Sequence, residues 1–180
     1  MANPKVVDVR ARQQPLRDRY KVAPADAMIS DRARAINGVE TDPFHGTVVA
    51  GSQDYGLVWP YGIHRAVGGD HDLPNPGDLL CAALATCLDS TIRIIANRLA
   101  ITLVALEVDV TAEVDVRGTL VVDRATPVGF QTMRSHVTIQ AAEGTDPGLV
   151  EKLLAAAEYS CVNLQTLRAG VAVELGVTSK

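Results

Sequence analysis

The amino-acid sequence predicts an α+β fold, in which antiparallel pairs of strands alternate with two long helices. One observation is the alternation of apolar and polar residues over 106–117, which has the period of a strand with one wet face. A second is an apolar segment over 76–97 that begins with helix-starting residues, and a third is an amphipathic segment that begins at Asp146. The chain order of hairpin, helix, hairpin, helix and strand is typical of the α+β class.

The composition excludes several classes of protein before any motif is considered. The chain has 180 residues, of which 47% are hydrophobic and 21% charged, so it has enough apolar residues for one domain with a core. The net charge of −4 argues against a nucleic-acid partner. The longest apolar run, 79–88, is about half a bilayer span, and no apolar export signal follows the first residues. We therefore expect a cytoplasmic protein with no membrane partner, whose three cysteines serve as free thiols, redox thiols or metal ligands rather than structural disulfides.

The first 35 residues are predicted to form an N-terminal arm, followed by a single domain over 36–180. Within 1–26, six basic residues stand against three acidic ones, and large apolar residues are few. This composition indicates either an extended arm that crosses a surface or a partner subunit, or a mobile tail.

The first half of the domain is predicted to be a hairpin followed by a helix. Aromatic and β-branched residues predict strands near 44–50 and 57–67, separated by a glycine-rich turn. Asn75 is a suitable N-cap for the helix and Pro76 a suitable first residue, while Asp78 complements the helix dipole. Because this helix is apolar on every side from Leu79 to Leu88, we expect a sheet or a second subunit to wrap it.

The second half of the domain is predicted to be a hairpin, a helix and a last strand. The strand over 106–117 pairs with a weaker alternating run over 133–141, across a turn near 118–127. Asp146 and Pro147 begin a helix whose apolar stripe ends at Cys161, and alternation over 171–177 predicts a closing strand.

Two cysteines, Cys87 and Cys161, lie on the predicted buried stripes of the two helices. A helical projection places Cys87 where the apolar stripe that contains Leu84 meets the hydroxyls of Ser90 and Thr91. A free cysteine also packs as a small hydrophobe, so the residues alone allow either core filling or a redox pair. Cys81 lies about 120° away around the helix and is predicted to fill the core. His64, His71 and Cys81 have no recognised ligand spacing, so no metal site is expected.

Two segments resemble the motifs of the OsmC/Ohr family. The glycines at 68–69 and the helix over 74–88, which starts with Pro-Asn-Pro and ends alanine-rich at Cys87, resemble that family's central helix. Residues 156–163, alanine-rich around Cys161, resemble its second cysteine motif. The predicted order of elements is similar to that family over about 40–178, with antiparallel sheets wrapped around the two main helices.

The resemblance implies a thiol peroxidase that reduces organic hydroperoxides. Cys87 would attack the peroxide and Cys161 would resolve the product as a disulfide, with no cofactor beyond an external small dithiol or lipoyl-type reductant. It also implies an intertwined homodimer with active sites at the subunit interface. The residues expected to line the pocket are Leu84, Ser90, Thr91 and Trp59.

The sequence departs from the family pattern at three places. The family's glutamate is replaced by Gly77, and the proline after the second cysteine is Val162. The family's activating arginine has two candidates here, Arg65 and Arg34. These departures leave a second hypothesis open, in which the protein is a non-catalytic small-molecule-binding protein whose thiols are idle.

Overall fold

The computed structural model describes residues 7–35, 42–51, 55 and 57–179, and it is a mixed fold of helices and antiparallel sheets. The predicted α+β class is confirmed. The helices are α1 (Val9–Val22), α2 (Pro76–Arg98), α3 (Val116–Thr119), α4 (Pro147–Ser160) and α5 (Val162–Ala169), with 3₁₀ turns at Pro24–Ala27 and Arg65–Val67. The strands are β1 (Ala33–Ala35), β2 (His45–Ala50), β3 (Trp59–Gly62), β4 (Leu103–Glu113) and β5 (Thr132–Ala141).

The described chain forms two compact units. The first, here called the cysteine unit, contains described residues 7–9, 83–109 and 136–179, and therefore both Cys87 and Cys161. The second, called the hairpin unit, contains described residues 10–82 and 110–135.

The core of the cysteine unit is built from one face of α2 and one face of α4. Its buried apolar side chains are Leu84, Leu88, Ile92, Ile95, Ala96, Ile101, Leu153, Ala157 and Cys161. The spacing of about four residues along each helix is the one that places side chains on a single stripe. The predicted helix over 76–97 is confirmed.

The expectation that α2 is wrapped on all sides is not met within one chain. Apolar residues off the buried stripe stay accessible, among them Leu80 and Ile94. By length and composition this helix could cross a membrane, but core helices of globular proteins meet the same criterion, so a single one is weak support for a span. The expected absence of a membrane partner therefore stays a prediction.

The hairpin unit contains a three-stranded antiparallel sheet in the order β1-β2-β3. Gly46 lies opposite Tyr61 and Val48 opposite Trp59, so the predicted hairpin is confirmed. Its second strand ends at Gly62 rather than near 67, because the chain then turns back on itself. Strand β1 was not predicted, and turn residues 52–54 and 56 lie outside the described residues.

The prediction of an extended arm is wrong for the described part of the arm, which begins with a helix. Helix α1 is rich in arginine and glutamine, which are good helix formers, and Asp18 accepts hydrogen bonds from Gln14 and Lys21 on the same helix. At its start, Val9 N donates to Asn97 Oδ1, and Asn97 Nδ2 donates to Val7 O. No residue of α1 is buried, so its sequence lacks the repeating apolar positions by which a helix is predicted.

Strands β4 and β5 form a two-stranded sheet, as predicted, but β4 ends earlier than the alternation suggests. Asp115 leaves the strand and caps α3, because its carboxylate accepts from Arg117 N and also binds the Arg117 guanidinium. The alternating residues at 116–117 are therefore helical, which corrects the predicted strand over 106–117.

The predicted closing strand over 171–177 is wrong in this single chain. Residues 170–179 have no regular structure, and helix α5, which was not predicted, occupies 162–169. The apolar residues of this tail are exposed by 65% to 90%, namely Val171, Val173, Leu175 and Val177. A strand needs a neighbouring strand for its backbone hydrogen bonds, and none of the described residues supplies one here.

His45, at the start of β2, is held between two carboxylates of the hairpin unit. Its Nδ1 lies 2.6 Å from Asp42 Oδ2 and its Nε2 lies 2.9 Å from Asp72 Oδ1. The hydrogen bonds to Asp42 and Asp72 raise the pKa of His45 from 6.5 to about 9, and His45 in turn lowers the pKa of both aspartates below 3.8. The three side chains therefore form one charged cluster at neutral pH.

We expect this cluster to make the stability of the hairpin unit depend on pH in both directions. Because the folded histidine holds its proton more tightly than an unfolded one, its contribution is complete below pH 6.5 and is lost as the pH rises through about 9. The aspartates contribute above pH 3.8 and lose their contribution on acidification. An NMR titration of the His45 imidazole should give a midpoint near 9, and Asp72→Asn should lower it. Asp70→Asn is the matched control and should leave it unchanged, while a wild-type midpoint near 6.5 would contradict the prediction.

Candidate functional site

Cys161 lies at the junction of two helices, where it ends α4 and begins α5. Its backbone N donates to Ala157 O at 2.9 Å, and its carbonyl accepts from Gln165 N at 3.0 Å. The side chain is wholly buried. The backbone N–H groups of Asn163 and Leu164, in the first turn of α5, lie close enough to its sulfur to act on the pKa of this thiol.

The thiols of Cys87 and Cys161 lie close enough to interact, although 74 positions separate them in the chain. Cys87 lies on α2 and is half-buried, whereas Cys161 has no accessible surface. Burial raises the pKa of the Cys161 thiol and the hydrogen bond with Cys87 raises it further, while the N–H groups of Leu164 and Asn163 act in the opposite direction. The structure thus brings together the two cysteines that the sequence singled out.

Three of the predicted pocket residues lie on α2 with Cys87. Leu84 is buried, as its place on the apolar stripe predicts. Ser90 Oγ and Thr91 Oγ1 donate to the Cys87 carbonyl at 3.0 and 2.7 Å. Their hydroxyl hydrogens are therefore directed at the helix backbone rather than at the Cys87 sulfur.

The other predicted site residues, Arg65, Arg34 and Trp59, belong to the hairpin unit. Arg65 begins a 3₁₀ turn, Arg34 lies opposite Val49 on β1, and both are exposed with no ion pair to a carboxylate of the described chain. Trp59 lies on β3 and is 47% exposed. Their assignment to the site stays a prediction.

Two arginines that are close to the cysteines in the sequence, one on α2 and one on α5, form ion pairs with carboxylates. Arg93 binds Asp89 one turn earlier on α2, and Arg168 binds Glu158 at 2.7 Å. Among described residues, no group of three or more histidine, cysteine, aspartate or glutamate side chains could hold a metal ion.

Gly77 lies in the first turn of α2, at the position of the family's glutamate, and neighbouring side chains leave little space beside it. Asn75 caps the helix as predicted, because its Oδ1 accepts from Gly77 N and Asp78 N while Asp78 accepts from Asn75 N and Nδ2. A Cβ on Gly77 would lie 3.0 Å from Phe130 Cζ and 2.9 Å from Asn75 Oδ1. The Phe130 ring therefore limits the space for a side chain at position 77. The Asp78 carboxylate already binds Asn75 in the helix cap.

Asn163 is a residue of the site that no pattern in the sequence indicates. Its Nδ2 donates to Ala83 O at 2.7 Å, which links the start of α5 to α2. An eight-residue helix directly after Cys161 has too few apolar positions for a period to appear, so no signal distinguished Asn163.

Comparisons with known proteins agree on one family. The family model described as OsmC-like protein matches residues 69–176. No curated protein matches the chain.

Three solved structures illustrate the similarity of fold. An organic hydroperoxide resistance protein OsmC of Legionella pneumophila, also described as a predicted redox protein, is 26% identical with a TM-score of 0.57, over 79% of this chain and 91% of that one. An OsmC-like protein of unknown function from Vibrio cholerae is 12% identical with a TM-score of 0.63, over 77% and 94%. The organic hydroperoxide resistance protein OhrB of Bacillus subtilis is 18% identical with a TM-score of 0.50, over 80% and 94%. The last two establish the fold alone.

Proposed function

Because the chain belongs to the OsmC-like protein family, we propose that it is a thiol peroxidase that reduces organic hydroperoxides. The observation that carries the proposal is the contact between the half-buried Cys87 and the wholly buried Cys161. Two thiols already in contact need little movement to form a disulfide. The name of the Legionella protein, which refers to organic hydroperoxide resistance, supports the same substrate class.

The proposed cycle starts at Cys87, which is the more accessible of the two cysteines. Its thiolate attacks one peroxide oxygen, the O–O bond breaks, and the alkoxide takes a proton to leave as an alcohol. The resulting sulfenic acid is attacked by Cys161, which forms the disulfide and releases water. An external small dithiol or lipoyl-type reductant returns both cysteines to thiols and is itself oxidised to a disulfide, as the reducing cytoplasm permits.

The raised pKa of Cys161 suits its assignment as the second thiol to react. Burial is the main cause of this shift and the neighbouring Cys87 side chain adds to it, so Cys161 stays protonated while Cys87 attacks the peroxide. The buried apolar side chain of Leu84, one turn before Cys87 on α2, would favour an alkyl hydroperoxide.

Titration with cumene hydroperoxide tests this proposal. Wild-type protein should lose two thiols for each peroxide consumed and should turn over when a dithiol is supplied. Cys87→Ser should abolish turnover, whereas Cys81→Ser, a change to the remaining cysteine, should retain it. Unchanged thiols in the wild type, or full turnover in Cys87→Ser, would contradict the mechanism.

A second candidate function is a small-molecule-binding protein with idle thiols. It is favoured by Gly77, where the family's carboxylate is missing and Phe130 limits the space for a side chain. An apolar ligand retained in native mass spectrometry, together with no peroxide consumption, would support this candidate over the peroxidase.

We also propose that the protein is a homodimer. The apolar side of α2 that is left accessible and the exposed alternating tail over 171–177 both need a cover that the described residues of one chain do not provide. Sedimentation of the full chain should show a dimer, and deletion of 171–180 should weaken it. A monomer at micromolar concentration would contradict the proposal.

A further inference from the structure

Asn163 makes contacts toward both cysteines of the site. Its backbone N–H lies near the Cys161 sulfur, while its side-chain amide reaches α2 and donates to Ala83 O at 2.7 Å. The residue lies in the first turn of α5 and is half-buried.

Ala83 lies one helical turn before Cys87. In an α-helix, the carbonyl of residue i−4 accepts from the N–H of residue i, so the Ala83 carbonyl belongs to the turn on which Cys87 stands. Thr86 Oγ1 also donates to this carbonyl, at 3.2 Å. The Asn163 amide therefore binds the backbone directly beneath the Cys87 side chain.

The start of α5 is held on its other side by α4. Gln165 Nε2 donates to Glu158 O at 2.8 Å, and Arg168 pairs with the Glu158 carboxylate at 2.7 Å. With α5 fixed against α4 in this way, the bond from Asn163 to Ala83 sets how closely the Cys161 turn approaches α2.

We propose that Asn163 is a positioning residue, which holds the Cys161 sulfur against Cys87 by bridging the first turn of α5 to the Ala83 carbonyl. The inference rests on the proposed function, because it assigns Asn163 to closure of the Cys87–Cys161 disulfide. A disulfide requires the two sulfurs to approach to about 2 Å in a defined geometry, so a tether between the two turns raises the effective concentration of one thiol near the other.

The test is the equilibrium constant for disulfide formation between Cys87 and Cys161 in glutathione redox buffers. Asn163→Ala removes the amide, and Asn163→Asp keeps the shape but replaces the donor with a carboxylate. Both should lower the constant about tenfold, as loss of one hydrogen bond predicts, which corresponds to about 30 mV in reduction potential. Asn163→Gln retains an amide and should recover most of the wild-type value.

Thr86→Val is the matched control, because it removes the other side-chain donor to the same carbonyl without changing α5. It should leave the constant within twofold of wild type. An unchanged constant in both Asn163→Ala and Asn163→Asp would overturn the inference, as would an equal loss in Thr86→Val.

The equilibrium is measured without peroxide, so the two proposals can fail separately. A disulfide that depends on Asn163 in a protein that consumes no peroxide would contradict the peroxidase and support the tether. A protein that consumes peroxide but whose disulfide equilibrium constant does not change in the Asn163 variants would support the peroxidase and contradict the tether.

Discussion

A Cys161→Ala variant without an external thiol is expected to consume one equivalent of organic hydroperoxide and then stop, with a sulfenic acid on Cys87. Without the Cys161 thiol, the sulfenic acid has no internal partner and waits for an external thiol. Replacing an intramolecular step by a bimolecular one should lower steady-state turnover on the order of 100-fold. Mass spectrometry should show a gain of one oxygen atom on the peptide that contains Cys87, and a sulfenic-acid-specific reagent should label it.

The fold should tolerate this change. Cys161 is wholly buried, but alanine removes only its sulfur, so we expect a loss of about 1 kcal/mol in the free energy of unfolding. Cys81→Ala removes a thiol that the proposed cycle does not use, and its turnover should stay at the wild-type value. Undiminished multiple turnover in Cys161→Ala would show that Cys161 is not the resolving thiol.

Gly69→Ala is expected to cause a large loss of stability in the hairpin unit. A Cβ at this position would lie 2.2 Å from Ile63 O and 2.6 Å from the Ile63 carbonyl carbon. The same oxygen accepts from His71 N at 3.1 Å, so the backbone cannot move away without breaking that hydrogen bond. We expect the free energy of unfolding to fall by about 3 kcal/mol in a urea titration, at the upper end of the range for overpacking.

The chain offers a matched control for this substitution. A Cβ on Gly129 would meet no atom within 4 Å, so Gly129→Ala should leave the free energy of unfolding within about 0.5 kcal/mol of wild type. Equal stabilities for Gly69→Ala and the wild type would contradict the close approach between Gly69 and Ile63.

The long elements of the fold could be predicted because their signals are local. The N-cap at Asn75 and the apolar stripe through Leu84 and Leu88 place α2 correctly, since capping and amphipathicity act within one helix. The alternation that predicts β4 is equally local, and it failed only beyond Glu113, where the carboxylate of Asp115 caps a short helix.

The errors fall on elements whose signal is weak or whose partners are distant. Helix α1 buries no residue, so its sequence has no repeating apolar pattern that would predict a helix. Helix α5 has only eight residues, which is too short for such a pattern to be recognised. The tail over 171–177 shows the reverse error: the alternation is present, but a strand forms only where another strand accepts its hydrogen bonds.

The same division applies to the candidate site. Sequence alone sufficed to select Cys87 and Cys161, because each stands on an apolar stripe with flanks typical of a family. The sequence did not select Asn163, because the proposed role of this residue depends on one hydrogen bond to a carbonyl 80 positions away. The helices followed from capping and periodicity, which are local forces. The meeting of two thiols and the amide that ties their turns together depended on the packing of α2 against α4 and α5, which no pattern along the chain records.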